Sequence, residues 1–276
     1  MTGKIIDVGN FKMGNTQPIT IIAGPCQMES RDHALECVDY ISALCKKLHL
    51  NFIFKTSFDK ANRLSVSARR GLGMEKSLPV FAEIKKKYGC PVLTDVHTAE
   101  QCSVVGEVVD ILQTPALLCR QTDLLLAAGE TGKIVNIKKG QFMAPWDMAK
   151  VAEKVASTGN DKIMLTERGI TFGYNRLVND MRAIPIMAQT GYPVVFDATH
   201  SIQEPGGLGT ASGGQREFVQ TVARAAVAIG VACLFIETHP DPDNAPSDGP
   251  CMIPFTDLES LLKDISAFDA LAKKAA

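Results

Sequence analysis

After each of a series of short apolar runs the chain carries polar side chains: Cys26, then Lys55 and Ser57, Asp95 and His97, Gln113, Lys138, Arg168, His200, and last Glu237 with His239. Any one of these alone is more often a cap or a solvated group than a catalyst. The series is the signal, because thiol, imidazole, carboxylate, amide and cationic groups are what proton transfer, ligation and anion binding require. Lys55, Lys60, Arg63, Lys138 and Arg168, if gathered, would concentrate positive charge in a chain whose formal net charge is −1. Gathered cations repel one another unless anions lie among them. Arginine forks take phosphate or carboxylate bidentately and lysine adds a point charge, so the mixture suits a ligand bearing both groups. The bland alternative is a set of lysines on solvated loops.

What would gather these groups is the order of the runs themselves. Apolar stretches rich in β-branched residues occur at Ile19–Ala23, Phe52–Phe54, Val92–Thr94, Asp110–Leu112, Ile134–Ile137, Ile163–Thr166, Val194–Phe196 and Leu234–Ile236, and each reads as a strand. Segments with helical spacing separate them, among them His33–Leu48, Glu75–Tyr88, Pro145–Ser157, Leu177–Gln189 and Gln215–Ile229. Strands buried on both faces are continuously apolar, and βα units in succession predict an α/β fold, a closed (β/α)8 TIM barrel. Its 276 residues match the roughly 250 that one such domain needs, so residues 1–276 are expected to form a single barrel domain. Gly9-Asn10 and Gly14-Asn15 are turn signals that predict a short N-terminal β-hairpin within residues 1–16. An open doubly wound sheet is the competing arrangement. In a barrel, all the polar strand ends would meet at one mouth. The glycine-rich stretch Pro205–Gly214 follows the seventh run and precedes a helix, where barrels bind phosphate or carry a mobile lid.

Composition narrows the setting. With 46% hydrophobic and 21% charged residues the chain has material for a large core and is too polar for a membrane protein. The N-terminal MTGKIIDVGNFKMGN shows neither a signal peptide nor a transmembrane run. Eight cysteines without a C-x-x-C pair read as reduced thiols, which predicts a cytoplasmic protein. The near-neutral charge offers no field for nucleic acid or an anionic membrane, so neither is an expected partner.

The stretches AGPCQMES (23–30), FKTSFDKANR (54–63), TDVH (94–97), DILQTPA (110–116), RQTD (120–123), NIKKGQFMAPW (136–146), ERGITFGYN (167–175), FDATHSIQ (196–203), TASGGQRE (210–217), IETHPDP (236–242) and SDGP (247–250) resemble the 3-deoxy-D-manno-octulosonate 8-phosphate synthases, in order and nearly end to end. The related 3-deoxy-D-arabino-heptulosonate 7-phosphate synthases share the barrel and the AGPC-like opening. Their second-strand loop reads Lys-Pro-Arg, whereas Lys60-Ala61-Asn62-Arg63 here is similar to the octulosonate family. The resemblance implies a transferase that condenses phosphoenolpyruvate with D-arabinose 5-phosphate and releases phosphate, feeding lipopolysaccharide synthesis. The alternatives are the heptulosonate reaction with erythrose 4-phosphate, or a barrel that binds sugar phosphates without catalysis.

By the family's pattern Lys138 and Arg168 hold the phosphate of phosphoenolpyruvate, with Lys55, Ser57, Lys60, Gln113 and the Ala116 backbone completing that subsite. Asn62, Arg63 and Asp95 handle arabinose 5-phosphate, and Lys60, His200 and Asp248 are the expected catalytic groups. Spacing alone announces no metal site. The resemblance implies one at Cys26, His200, Glu237 and Asp248, because cysteine in the AGPC position marks the metal-dependent subclass. One thiolate, one imidazole and two carboxylates suit Zn2+, Fe2+, Mn2+ or Co2+ and not Mg2+. His97 and His239 are expected to orient neighbours or handle protons. The family forms homotetramers in which a neighbour's arginine from the KANR loop reaches the sugar phosphate. The chain departs from the pattern at Leu64, where serine or threonine is frequent, at Leu72, where proline is, and at Leu117, where phenylalanine is.

Overall fold

The computed structural model describes residues 3–274 apart from residues 64, 208, 210 and 211. Its parallel strands are β1 (Thr20–Gly24), β2 (Asn51–Lys55), β3 (Val92–Asp95), β4 (Ile111–Thr114), β5 (Ile134–Lys138), β6 (Ile163–Glu167), β7 (Val194–Asp197) and β8 (Cys233–His239). Each pairs with the next, and β8 pairs with both β7 and β1, so the sheet closes on itself and leaves no edge. This is the predicted (β/α)8 barrel. Its helices are α1 (Arg31–Lys47), α2 (Met74–Tyr88), α3 (Ala99–Gly106), α4 (Thr122–Glu130), α5 (Met148–Ala156), α6 (Ala183–Ala188), α7 (Val219–Ile229) and α8 (Phe255–Lys274).

Local chemistry explains the elements. In α1, Ala34, Cys37, Val38, Ile41, Leu44 and Cys45 are buried at helical spacing, which puts them on one face. The Ser30 hydroxyl accepts the His33 N–H at its start, and Lys46 and Lys47 lie in its last turn. Along each strand alternate residues point into the barrel. Ile22, Ile53, Leu93, Ile111, Ile134, Met164, Val195 and Cys233 form an apolar floor there, together with Phe235. The predicted hairpin is present as Ile6–Asp7 against Lys12–Met13, and its buried Ile6 and Met13 pack on that floor. The barrel is thus plugged from the N-terminal side, and only the opposite mouth is free for a ligand.

Two residues further along the strands the interior turns polar. Lys55, Asp95, Gln113, Asn136, Thr166 and Asp197 are all buried directly above the floor. Gly24 completes this layer on β1, and a Cβ there would sit 1.9 Å from the Lys55 carbonyl oxygen. Only glycine allows β1 and β2 to approach so closely at the point where Cys26 leaves the barrel.

The expected helix over Leu177–Gln189 is corrected. Leu177–Val178 pairs antiparallel with Ile170–Thr171, and the helix is confined to Ala183–Ala188. Asp180 accepts the backbone N–H of Arg182, a local bond that turns the chain instead of continuing a helix. The glycine-rich stretch begins and ends as a ribbon, with Gln203–Glu204 paired to Gly213–Gly214.

Candidate active site

The polar strand ends converge on one cavity of about 430 Å³ at the free mouth. Lys55, Lys138 and Arg168 line it from the ends of β2, β5 and β6, and Lys60, Asn62 and Arg63 from the loop after β2. Asp95, Gln113, Ala116, His200 and Asp248 also face it. Ser57 does not: it is buried behind the wall and donates its hydroxyl to Asp95. Cys26 and Glu237 lie deeper, outside the cavity wall.

The gathered cations are partly matched by carboxylates that are buried with them. Lys138 Nζ lies 2.5 Å from Asp197 Oδ2 and 3.9 Å from the centre of the Phe235 ring. Lys55, 1% exposed, donates to Glu237 Oε1 at 2.5 Å and to the Cys26 carbonyl at 3.1 Å. Lys60 Nζ stands 3.9 Å from both Asp95 and Glu237. Burial would lower the Lys60 ammonium, but Cys26, Glu237, Asp95 and Asp248 around it raise it well above its ordinary value. For Lys138 burial wins against Asp197 and its value falls.

Arg168 is different. It is 3% exposed, its Nη2 donates to Gln203 Oε1 at 3.1 Å, and its Nη1 is buried without a partner. No carboxylate lies within ion-pair distance of Arg168 among the described residues, so its fork is available to an anion inside the cavity. Glu167 aims it, accepting the N–H groups of Arg168 at 3.0 Å and Gly169 at 2.7 Å. Arg63 donates to Ser247 Oγ at 2.9 Å and to the Pro246 carbonyl at 2.6 Å.

Beside this anion wall sits a metal-type donor cluster. One ligand atom each from Cys26, Glu237 and Asp248 lie within 4.8 Å of one another, and Cys26 Sγ is 3.1 Å from Asp248 Oδ2. His200 approaches with Nε2 3.5 Å from Glu237 Oε2 and 3.8 Å from Asp248 Oδ2. Its Nδ1 is 2.7 Å from Asp197 Oδ2, which leaves the Nε2 lone pair facing the cluster. Glu237 Oε2 is buried with no hydrogen-bond partner, a costly state that a cation would relieve. Burial, then Asp248 and Glu237, push the Cys26 thiol well above its usual value. Burial alone would raise Asp248, but the neighbouring His200 imidazole and the Lys60 charge hold it well below the carboxylate range. Sulfur, imidazole and carboxylate donors around an orphaned oxygen fit a borderline divalent ion.

Several partners were not expected from the sequence. Asp197 ties Lys138 to His200 and also accepts the His200 N–H at 2.9 Å. The Asp197-x-x-His200 spacing at a strand end was its only signal. Gln203 bridges the two halves of the site, accepting from Arg168 and donating to Asp248 Oδ1 at 2.9 Å. Of the two further histidines, His97 lines the cavity, whereas His239 Nε2 lies 2.9 Å from Glu29 Oε1 with Nδ1 accepting the Asp241 N–H. Leu117 is 51% exposed at the cavity rim and Leu72 packs against the outer core. Leu64 lies outside the described residues.

A plugged (β/α)8 barrel whose open mouth joins lysine and arginine cations to a thiol-containing acidic cluster is built to hold anionic substrates for polar chemistry. The family model for the DAHP synthetase I family matches residues 4–273. The chain is 63% identical over 270 residues to the 2-dehydro-3-deoxyphosphooctonate aldolase of Bradyrhizobium diazoefficiens, covering 98% of this chain and 96% of the relative. The protein of that name from Rhodopseudomonas palustris is 62% identical over 271 residues, 98% of this chain and 94% of its own. That from Brucella canis is 60% identical over 268 residues, 97% of each. The chain belongs to the DAHP synthetase I family.

Proposed function

We propose that this protein condenses phosphoenolpyruvate with D-arabinose 5-phosphate and water, giving 3-deoxy-D-manno-octulosonate 8-phosphate and inorganic phosphate for lipopolysaccharide synthesis. The observation that carries this reading is one cavity in which Arg168, its Nη1 without a partner, and Lys138 stand beside the cluster of Cys26, Glu237, Asp248 and His200. Relatives named for the octonate product, at 60–63% identity across nearly the whole chain, favour the five-carbon acceptor over erythrose 4-phosphate.

In this reading Lys138 and Arg168 hold the phosphate of phosphoenolpyruvate, with Lys55, Lys60, Gln113 and the Ala116 backbone around the rest of it and Ser57 acting through Asp95. Asn62, Arg63 and Asp95 take the sugar phosphate and its hydroxyls. Held this way, the enol carbon and the aldehyde approach without the entropy cost of a bimolecular encounter. Negative charge grows on the aldehyde oxygen as the C–C bond forms, and the Lys60 ammonium can stabilise it. Water then adds to C2, the proton passes to a neighbouring base, and phosphate departs with its bridging oxygen by C–O cleavage. A divalent ion held by Cys26, His200, Glu237 and Asp248 would supply Lewis acidity at this end of the cavity.

The free state of all eight cysteines supports a reducing, cytoplasmic setting. The exposed Leu117, Phe142, Phe172 and Tyr174 on the loops after β4, β5 and β6 support burial of the mouth's rim against other copies in a homotetramer. The test is phosphate release from phosphoenolpyruvate with arabinose 5-phosphate, with erythrose 4-phosphate, and with no aldose. Turnover only with the five-carbon sugar is expected. Preference for erythrose 4-phosphate, or none for any aldose, overturns the reading.

A further inference from the structure

Above the apolar floor a hydrogen-bond chain runs across consecutive strands. Thr166 Oγ1 donates to Asn136 Oδ1 at 2.6 Å, Asn136 Nδ2 donates to Gln113 Oε1 at 2.8 Å, and Gln113 Nε2 donates to Asp95 Oδ1 at 2.5 Å. From the other side Ser57 donates to Asp95 Oδ2. Asp95 and Gln113 face the cavity, whereas Asn136 and Thr166 are fully buried and do not reach it.

Every bond points toward Asp95, and the direction has one physical cause. Burial would raise the Asp95 carboxyl, but Lys60 and Lys55 outweigh that and keep it ionised, so it can only accept. Gln113 must therefore present its NH2 group to Asp95, which leaves its carbonyl oxygen facing Asn136. Asn136 must answer with its own NH2, and its oxygen then needs the Thr166 hydroxyl. Turning either amide over would set acceptor against acceptor in an interior where such mismatches are costly.

We infer that Asn136 and Thr166 are positioning residues: out of reach of the ligand, they brace the Gln113 amide in the orientation that Asp95 requires, and thereby fix which lone pairs of Asp95 face the substrates. Thr166 is the end of the chain and its most informative position. Valine has nearly the same shape without the donor, and serine keeps the donor without the methyl group.

The inference rests on the proposed reaction, and the experiment separates the two. Initial rates are measured for wild type, Thr166→Val and Thr166→Ser, varying each substrate in turn, alongside thermal midpoints. Thr166→Val is expected to lose about tenfold in kcat/KM while Thr166→Ser stays within about twofold of wild type, each variant melting within a few degrees of the other. Equal kcat/KM in the two variants, or losses that follow the thermal midpoint, overturns the inference. Should Thr166→Val not fold, Thr166→Ala compared with Thr166→Ser decides the same point. Absent wild-type turnover would count against the reaction alone, and phosphoenolpyruvate affinity by calorimetry across the same variants would still decide the positioning roles.

Discussion

Replacing Asp197 with asparagine removes one charge and leaves the shape intact. Asp197 Oδ2 receives Lys138 Nζ at 2.5 Å and His200 Nδ1 at 2.7 Å, while Oδ1 receives the His200 N–H at 2.9 Å. Asparagine can keep the backbone bond, but its NH2 group then faces an ammonium and an imidazole N–H. Deleting one partner of a buried pair costs about 3–5 kcal/mol, which at roughly 2–4 °C per kcal/mol for a domain near this size lowers the melting temperature by about 6–20 °C. The sign of the pH dependence follows from two shifts. Burial would raise Asp197, but His200 and Lys138 hold it well below its ordinary value. Its stabilisation is therefore complete above about pH 4 and lost as pH falls toward the depressed native value. Burial would lower His200, but Asp197 raises it. That contribution is complete below about pH 6.5 and lost as pH rises through the raised native value. In metal-free protein, followed by circular dichroism from pH 3 to 9, the gap between wild type and Asp197→Asn should be widest between about pH 4 and 6.5. A gap under about 2 °C at pH 6, or one that widens below pH 4, would refute this reasoning.

Cys26→Ser should weaken metal retention roughly ten- to hundredfold in a chelator competition while the barrel still melts cooperatively, because only the sulfur donor is exchanged for a poorer one. Arg168→Lys keeps the charge but loses the planar fork with its unpartnered Nη1, so KM for phosphoenolpyruvate should rise roughly ten- to hundredfold, with KM for the sugar phosphate changing less. Gly24→Ala would force a Cβ to within 1.9 Å of the Lys55 carbonyl oxygen, and a drop in thermal midpoint larger than that of Asp197→Asn is expected. A Gly24→Ala protein with wild-type stability would show that β1 and β2 can separate there.

The strands were legible in the sequence because burial on both faces leaves no polar alternation, as at Ile163–Glu167, where every residue is buried. Their polar ends were legible for the same reason, since Lys55, Gln113, Lys138 and Glu237 interrupt runs that are otherwise apolar. The helix expected over Leu177–Gln189 failed because apolar spacing is blind to the cross-loop pairing of Leu177 with Thr171. Asp197 entered the sequence reading only within the FDATHSIQ stretch and not as the brace for Lys138 and His200, since that role exists only once β5 and β7 stand on either side of β6. Asn136 and Thr166 look like ordinary polar interruptions of their strands. Their importance lies in a hydrogen-bond direction that no single segment encodes.

The most direct measurement is metal-edge X-ray absorption on protein isolated with its bound ion, compared with Cys26→Ser. One sulfur at about 2.3 Å with nitrogen and oxygen donors in the remaining shell is the predicted result, with the sulfur lost in the variant. A shell without sulfur in fully active wild-type protein, or full activity with no metal bound, would contradict a centre built from Cys26, His200, Glu237 and Asp248.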